Sequence, residues 1–380
     1  MADAPPPAPE PAPPAAPRHR LRRASPRFAR DRERPDLKSR LSVAFAVTLS
    51  RLVSWVPTPL RNWGADRVGD VWIRLTPVYR ANVLANVDQV IGPGAPPQTL
   101  DRLARQIFRI SARNFGDLLR APHLGPREMA RIIPLEAGDW AYFDDARAQG
   151  RGVVLVTAHL GAFDVIGMAI AARGYKLTSM TGRTTTRFLF DAVTRLRRAG
   201  GMNVVEATPG GVRTVIQALR RAEVAAFVAD YDVFQNGLPV TFFGRETTLP
   251  PGPVRIARDT NAVIVGVFSR RVGNGYALRL TPPFEVPKTR DLDADLAVGM
   301  ARLVAMLERA IGASPGQWVM FQRVWPDAPA EPLRVFPVGS PLESDLLRRV
   351  DAVLPGTEVG KSGSRGVGKR GWRRRGRGEG

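Results

Sequence analysis

The feature that most constrains this chain is an unbroken apolar run, residues 153–156, that leads within three positions to a histidine. A continuous Val/Leu run of this length is typical of a central strand buried on both faces of a sheet. A second apolar run, residues 165–170, begins directly after Asp164 and predicts a helix. His159 is therefore predicted at the carboxyl end of a buried strand, where open α/β sheets bind their ligands.

His159 and Asp164 are the candidate catalytic residues. Residues five apart on a regular helix point about 140° away from each other, so the turn between them must be irregular if they are to meet. If they meet, Asp164 accepts a hydrogen bond from one imidazole nitrogen and leaves the other nitrogen free to act as a base. The alternative is a purely structural histidine. The chain's other histidines, His19 in a basic Pro-rich arm and His123 in a Pro/Gly-flanked stretch, are not expected at a strand end.

Strands and helices are predicted to alternate after residue 150. Short β-rich segments are predicted as strands at residues 152–158, 177–181, 203–206, 224–229, 239–243, 262–268 and 276–281. Helices are predicted at residues 163–172, which contain an apolar run, and at residues 187–199, 211–222 and 294–312. This alternation predicts an α/β fold with a mostly parallel central sheet flanked by helices.

The part of the chain before the first predicted strand is expected to be helical. Apolar residues from Leu41 to Val56 recur on one helical face, and Pro57 and Pro59 end that helix. Its uncharged part is too short to span a bilayer. Two compatible interpretations remain, a helix that covers the core and a helix that lies in the membrane interface behind an arginine-rich segment. Residues 65–148 are predicted to be mostly helical, with a break at 91–97.

Positive charge is concentrated near the two ends of the sequence. The formal net charge is +21, with ten Lys or Arg against three acids in residues 18–40 and eight against one in residues 361–380. We predict a disordered Pro/Ala- and Arg-rich arm at 1–40, a folded domain at 41–345 with an interfacial helix at 41–60, and a disordered basic tail at 346–380. A basic chain predicts an anionic partner, such as phospholipid headgroups, an acidic carrier protein or nucleic acid.

The composition excludes several kinds of chemistry. The chain has no cysteine, which excludes disulfides, thiolate zinc sites and a cysteine nucleophile. Only three dispersed histidines are present, so a His-rich metal site is not expected. No Gly-x-Ser-x-Gly elbow of a serine hydrolase occurs in the sequence. We therefore expect no metal and no cofactor.

The His-x4-Asp spacing of residues 159–164 resembles the signature of lipid acyltransferases. More specifically, the chain resembles the bacterial late lipid A acyltransferases (lauroyl and myristoyl transferases) and the related phosphatidylinositol mannoside acyltransferases. Further blocks resemble those families in the same order along the chain, at residues 80–87, 182–183, 229–232, 239–244, 253–257 and 314–318. The His-x4-Asp spacing alone is a weak signal, whereas the ordered set of blocks is specific.

The resemblance implies an enzyme that moves a fatty acyl group from an acyl thioester to a hydroxyl of a glycolipid or phospholipid. His159 would be the base and Asp164 its partner, with acyl-CoA or acyl carrier protein as the donor. It also implies a set of substrate-binding residues, namely Arg183, Asp230, Phe243, Gly244 and Arg255. Tyr231 replaces the Gln usual in lipid A enzymes, and Asp164 fits the mannoside enzymes as well as or better than the usual Glu, so the acceptor stays open.

The residues are consistent with acyl transfer on chemical grounds as well. A His–Asp pair supplies a base for the acceptor hydroxyl, and amides at the start of the following helix could hold a tetrahedral oxyanion. The apolar stripe at 41–56 behind the arginine-rich arm predicts that the protein is held on the cytoplasmic face of the plasma (inner) membrane without spanning it. Two alternatives remain, a basic protein that binds membrane surfaces or nucleic acid, and a hydrolase that uses the same pair on water. Nucleic acid is the less expected partner, because basic and aromatic residues do not interleave in the predicted core.

Overall fold

The structure is a computed structural model that describes residues 37–133, 137–182 and 187–326. The helices are α1 (Leu37–Trp55), α2 (Thr58–Leu75), α3 (Pro77–Ile91), α4 (Pro97–Arg120), α5 (Pro126–Ile132), α6 (Ala137–Ala148), α7 (Phe163–Ala172), α8 (Arg187–Ala199), α9 (Pro209–Arg220), α10 (Gly252–Thr260) and α11 (Leu292–Gly312). The strands are β1 (Val153–Thr157), β2 (Leu177–Thr181), β3 (Asn203–Glu206), β4 (Val224–Val228), β5 (Leu238–Phe242), β6 (Arg245–Leu249), β7 (Val263–Val272) and β8 (Gly275–Leu280).

The centre of the fold is a six-stranded sheet in the order β3-β2-β4-β1-β7-β8. Its first five strands pair in parallel, and only β8 pairs antiparallel to its neighbour β7. The prediction of an α/β fold with a mostly parallel sheet flanked by helices is confirmed. The position of β1 in the middle of the sheet explains its apolar sequence, because both of its faces need cover.

Each face of β1 packs into a separate hydrophobic core. Val154 and Val156 lie in the core formed with α9, α10 and α11. Val153 and Leu155 lie in the opposite core, formed with α6, α7 and α8. All five residues of the strand are buried. Successive side chains of a strand point to opposite faces, so this single run anchors both helical layers.

A two-stranded hairpin, β5–β6, lies outside the main sheet. The sequence predicted a strand at 239–243 within the parallel sheet, whereas the structure pairs it antiparallel with β6. Exposure alternates along both strands of the hairpin, which is the pattern of a ribbon with one covered face. β6 was not predicted because its sequence, Arg-Glu-Thr-Thr-Leu, is mostly polar.

Helices α2, α3 and α4 of the predicted helical region pack largely on one another, whereas α1 packs on α8 and α4. α1 ends before Pro57, and α2 begins at once, so the predicted stop is confirmed. The predicted break at 91–97 separates α3 from α4. None of the described helices has both the length and the apolar composition needed to cross a bilayer. The predicted arm and tail lie outside the described residues, apart from the start of α1 at residues 37–40, and the domain limits stay predictions.

Candidate active site

The parallel register of β1 and β4 brings a histidine and a carboxylate together. Val153 pairs with Val224, and Thr157 at the end of β1 pairs with Val228 at the end of β4. Continuing the same register by two residues sets His159 opposite Asp230. The site therefore lies at the carboxyl ends of adjacent parallel strands, which confirms the position predicted for His159.

Asp230 holds His159 through both oxygens of its carboxylate. Oδ1 accepts a hydrogen bond from His159 Nδ1 at 2.8 Å, and Oδ2 accepts from the His159 backbone amide at 2.8 Å. Trp318 Nε1 donates to the same Oδ2 at 2.7 Å. Because a carboxylate only accepts, Nδ1 must carry the proton, which leaves Nε2 of the neutral ring as a free base.

Burial and charge act in opposite directions on this pair. The Asp230 side chain is 0% exposed, whereas the His159 side chain is 33% exposed. Burial by itself lowers the pKa of His159, but the charge and hydrogen bond of Asp230, together with the charge of Asp164, raise that pKa above its ordinary value. Burial likewise raises the pKa of Asp230, but the charge of His159 and the hydrogen bonds from His159 and Trp318 outweigh that effect and lower it. Asp230 therefore stays ionised and fixes the imidazole in one orientation.

Asp164, the expected partner of His159, makes a different contact. Its Oδ1 accepts a hydrogen bond from Arg197 Nε at 2.7 Å, and Arg197 Nη2 lies 2.6 Å from the same oxygen. No hydrogen bond joins Asp164 to His159 within the described residues, so the expected acceptor of the imidazole is replaced by Asp230. The reason is the register of the sheet, which sets Asp230 directly beside His159. Asp164 acts on the imidazole through charge, as its effect on the pKa of His159 indicates.

A cleft of about 320 Å³ opens beside His159. It is lined by side chains of α2, α3, α4, α7 and α8, among them Trp72, Asn114, Phe163 and Arg197. A smaller hollow of about 130 Å³ continues from it into the protein. The residues common to both are His159, Phe163, Asp164, Thr181, Gly182 and Arg197. The inner hollow also carries apolar side chains, including Ile166, Met180, Met202 and Phe227.

The loop between β1 and α7 is held in an irregular conformation. Gly161 has φ +56°, and a Cβ there would lie 2.4 Å from the backbone oxygen of Ser269. Its amide donates to the backbone oxygen of Gln317 at 3.0 Å, and Asn114 Nδ2 donates to its carbonyl. Only glycine fits both the positive φ and the close approach. The turn between His159 and Asp164 is irregular, but it does not bring Asp164 into a hydrogen bond with the imidazole.

The start of α7 presents free backbone amides beside His159. The amides of Ala162, Phe163 and Asp164 donate to no acceptor in the described part of the chain. The ring of Phe163 meets the imidazole edge-on, with 5.1 Å between the ring centroids. Helix N-termini attract negative charge because their first amides lack intrahelical partners.

The other predicted substrate-binding residues are placed differently. Arg183 lies outside the described residues. Asp230 is buried behind His159, so its contacts are those of a positioning residue. Phe243 and Gly244 form the β5–β6 turn, where the Phe243 amide donates to Glu308 Oε1 and its carbonyl accepts from Gln89 Nε2. Arg255 is an exposed residue of α10 whose Nε lies 3.8 Å from Asp259 Oδ2. Neither the turn nor Arg255 is among the residues that line the His159 cleft.

Three side chains of the site were not predicted as functional. Arg197 belongs to an arginine-rich helix face, where nothing in the sequence separates it from Arg195 or Arg198. Asn114 lines the cleft with a buried Oδ1 that has no hydrogen-bond partner in the described part of the chain. Trp318 ends the block at 314–318 that resembles the acyltransferase families. Its indole N–H donates to Asp230, which is far away in sequence. His159 and Asp230 each follow directly on a predicted strand, at 152–158 and at 224–229. This shared position at a strand end is the signal in the sequence that could have linked Asp230 to the site.

No group of three or more His, Asp or Glu side chains in the described ranges is arranged to hold a metal ion. The fold and the site define an α/β protein that presents a carboxylate-bound histidine to a cleft at the carboxyl ends of parallel strands.

Sequence comparison identifies the family. The profile of bacterial lipid A biosynthesis acyltransferases matches residues 33–326, and the chain belongs to this family. It is therefore an acyltransferase.

Curated relatives carry two acyltransferase names. The chain is 27% identical over 246 residues to a phosphatidylinositol mannoside acyltransferase of Mycobacterium tuberculosis, with 63% of this chain and 75% of the relative covered. It is 25% identical to the protein of that name in Mycolicibacterium smegmatis, over 63% of this chain and 77% of the relative. A lipid A biosynthesis acyltransferase of Haemophilus influenzae is 24% identical, over 58% of this chain and 68% of the relative.

Proposed function

We propose that the protein transfers a fatty acyl group from an acyl thioester to a hydroxyl of a glycolipid or phospholipid, with His159 as the general base. The observation that carries the proposal is the hydrogen bond from His159 Nδ1 to the buried Asp230, which leaves Nε2 facing a cleft. A neutral imidazole held in this tautomer can accept the proton of an attacking hydroxyl.

The reaction needs no group beyond these residues. The acceptor hydroxyl gives its proton to His159 Nε2, and its oxygen forms a bond to the thioester carbonyl carbon. Asp230 and Asp164 stabilise the imidazolium that results. The carbon–sulfur bond then breaks, and the imidazolium returns the proton to the departing thiolate. A positioned base of this kind contributes about 10²–10⁴-fold to the rate.

The free amides of Ala162, Phe163 and Asp164 are suited to the oxyanion of the tetrahedral intermediate. These amides stand at the start of α7, next to His159, and donate to no acceptor among the described residues. Oriented donors of this kind require no reorganisation when charge develops during the reaction. Loss of one such donor typically costs about 10²–10³-fold in kcat.

The inner hollow is suited to the beginning of an acyl chain. It starts at His159 and continues along apolar side chains of α7, β2 and β4, so a chain lying there would leave its thioester carbonyl beside the imidazole. The outer cleft, with Asn114 and the Asp164–Arg197 pair, would receive the polar part of the donor or the acceptor. The orphaned Oδ1 of Asn114 can accept a hydrogen bond from a substrate hydroxyl or amide.

We further propose that the exposed apolar face of α1 and α2 rests on the cytoplasmic surface of the membrane. Proteins of the lipid acyltransferase family are membrane-associated, and this face is rich in large exposed side chains, namely Phe45, Leu52, Trp55, Leu60, Trp63, Val68, Val71 and Leu75. Single exposed apolar residues are ordinary on a protein surface, but a set of this size on two successive helices marks a candidate interaction site. The predicted stripe of α1 thus points largely away from the protein, which favours the interfacial interpretation.

The same apolar surface leads toward the catalytic cleft. Val78 and Tyr79 extend it into α3 and are 70% and 45% exposed. Tyr79 also lines the cleft, as does Trp72 of α2. A lipid acceptor could therefore enter from the membrane while the donor arrives from the aqueous side. The mannoside lipids in the names of the Mycobacterium tuberculosis and Mycolicibacterium smegmatis relatives make a mannosylated phosphatidylinositol the first acceptor to test, with a lipid A precursor as the second.

The test is an acyl-transfer assay on the full chain. Palmitoyl-CoA and palmitoyl acyl carrier protein are each supplied with phosphatidylinositol mannosides or a lipid A precursor, and products are identified by mass spectrometry. We expect an acylated lipid from the parent protein and none from a folded His159→Ala variant. Free fatty acid without acylated lipid would show a hydrolase instead. Retention of transfer by His159→Ala would refute the proposed base.

A further inference from the structure

A second cavity of about 200 Å³ lies at the start of α2, lined by residues of α2, α4, α5 and the β7–β8 region. It shares no lining residue with the His159 cleft. Its volume corresponds to about six waters at roughly 30 Å³ each, which is room for the five heavy atoms of a phosphate group.

Positive charge exceeds negative charge around this cavity. Arg61, Arg120 and Arg131 line it, and Asp117 is the single carboxylate among the lining residues. That carboxylate is shared with a further cation, since Arg271 Nη2 donates to Oδ2 of Asp117. Arg61 Nη2 reaches Oδ1 at 3.3 Å. Within the described residues, neither Arg120 nor Arg131 has a carboxylate in ion-pair distance, so these two cations lack a paired counter-charge.

The buried arginine of this cluster is incompletely bonded. The Arg61 side chain is 8% exposed, and its buried Nε has no hydrogen-bond partner among the residues that the structure describes. Its other donors make long contacts, to the Val56 carbonyl at 3.4 Å, to Thr58 Oγ1 at 3.5 Å and to Asp117 Oδ1 at 3.3 Å. Burial and the nearby Arg120 lower the pKa of Arg61, although Asp117 opposes them. A buried, under-bonded cation among other cations is costly unless an anion joins it.

We propose that this cavity, the Arg61 pocket, binds a phosphate group. Arg61 and Arg120 converge on the first residue of α2, since Arg120 Nη1 and Arg61 Nη2 both contact Thr58 Oγ1. The positive end of an 18-residue helix adds to their field. Guanidinium forks are suited to the tetrahedral oxygens of phosphate. The ligand class is a phosphate ester, carried by a membrane phospholipid or by a soluble molecule.

The surroundings of the Arg61 pocket favour the lipid source. Trp55, three residues before Thr58, is 87% exposed, and Leu60, two residues after it, is 58% exposed. These side chains belong to the apolar face assigned above to the membrane. A headgroup phosphate in the pocket would thus lie beside apolar side chains that enter the same leaflet. The pocket would fix the rotational orientation of the protein on the membrane, which apolar contacts alone leave loose.

The test compares two double variants that lose the same charge. Arg120→Gln with Arg131→Gln removes two cations of the pocket and leaves the buried Arg61 in place. Arg127→Gln with Arg220→Gln removes two exposed arginines that do not line it. Each protein is sedimented with phosphatidylcholine vesicles containing or lacking phosphatidylglycerol. Thermal stability is measured with glycerol 3-phosphate and with chloride at equal ionic strength.

We expect the pocket variant to bind phosphatidylglycerol vesicles about 10–30-fold more weakly than the parent, from about 1 kcal/mol for each arginine near the surface. The control variant should bind these vesicles about as tightly as the parent.

Loss of vesicle binding by the pocket variant, without any effect of glycerol 3-phosphate on Tm, identifies a lipid phosphate. A rise in Tm with glycerol 3-phosphate that only the pocket variant loses identifies a soluble phosphate ester. If neither measurement separates the pocket variant from its control, the cluster is ordinary surface charge and the proposal is overturned. Acyl transfer is not the readout, so the result is independent of the function proposed for His159.

Discussion

Replacing Asp230 by Asn tests the proposed site most directly. In the parent protein, Oδ2 accepts from the His159 amide and from Trp318 Nε1, and Oδ1 accepts from His159 Nδ1. An amide has one oxygen, which can keep the first two contacts. Its NH₂ group then faces Nδ1, so Nδ1 must accept and the ring proton moves to Nε2. The variant would hold the imidazole in place but in the tautomer that cannot take a proton from the acceptor.

The size of the effect follows from that change of tautomer. A carboxylate-to-amide change behind a catalytic histidine costs about 10⁴-fold in a serine protease triad, a protein unrelated to this one. We expect a loss of about 10³–10⁴-fold in kcat for Asp230→Asn, equivalent to about 4–5.5 kcal/mol of activation free energy. Stability should change much less, by about 1.5–3 kcal/mol for one hydrogen bond to a charged group.

The chain offers a matched control. Asp232 is also buried and accepts from the amides of Asn236 and Gly237 and from Thr248 Oγ1, without contacting His159. Asp232→Asn makes the same chemical change two residues away. The released thiol of a CoA donor can be followed with a thiol reagent, because the protein contains no cysteine of its own. Thermal unfolding of each variant reports whether it is folded.

The reasoning fails if folded Asp230→Asn keeps more than about a tenth of the parent kcat, because a base in the wrong tautomer should lose at least about 10²-fold. It also fails if Asp232→Asn loses as much activity at equal stability. In that case the loss would come from general disturbance of the loops after β4 and not from the tautomer of His159.

Three further predictions concern the same site. Asp164→Asn removes a negative charge that raises the pKa of His159. The acid limb of the pH profile of kcat/KM, which reports protonation of His159, should therefore shift to lower pH. An unchanged acid limb would mean that Asp164 does not act on the base. Gly161→Ala, with a Cβ 2.4 Å from the Ser269 oxygen, should lower activity by at least about 10²-fold in a protein that still folds, and full activity would contradict the rigid loop. Ala226→Leu should shorten the preferred acyl chain in competition assays with mixed acyl donors, at a cost of about 1–3 kcal/mol in stability; an unchanged preference would remove the inner hollow as the acyl site.

Local sequence determined the elements around the site because their signals are local. The unbroken run at 153–156 predicted a strand covered on both faces, and β1 is buried throughout. Helices α7 and α8 begin and end at the predicted residues, because an apolar run in α7, amphipathic spacing in α8 and flanking turn residues act within one or two turns of the chain. The location of His159 at a strand end followed from the same run. The ordered motif blocks predicted the family, and the comparison confirmed it.

The tertiary structure alone decided which carboxylate holds the histidine. Asp164 is close to His159 in sequence, but its carboxylate reaches Arg197 of α8 instead. Asp230 is 71 residues away in sequence and reaches the imidazole because β4 is the neighbour of β1 in the sheet. Strand order depends on how whole helical layers pack on the sheet, and no local pattern in either strand states it.

The exposed face of α1 and α2 and the Arg61 pocket have the same explanation. An apolar stripe predicts a buried face but not what buries it, so the sequence left core and membrane interface open for residues 41–56. In the structure, α1 turns Ala46 and Ser50 toward the protein and leaves Phe45 and Leu52 exposed. Likewise Arg61, Arg120 and Arg131 are ordinary surface arginines in sequence and converge only when α2, α4 and α5 pack together. Spacing along the chain fixes helices and strands, whereas the contacts between them depend on long-range packing that the spacing does not encode.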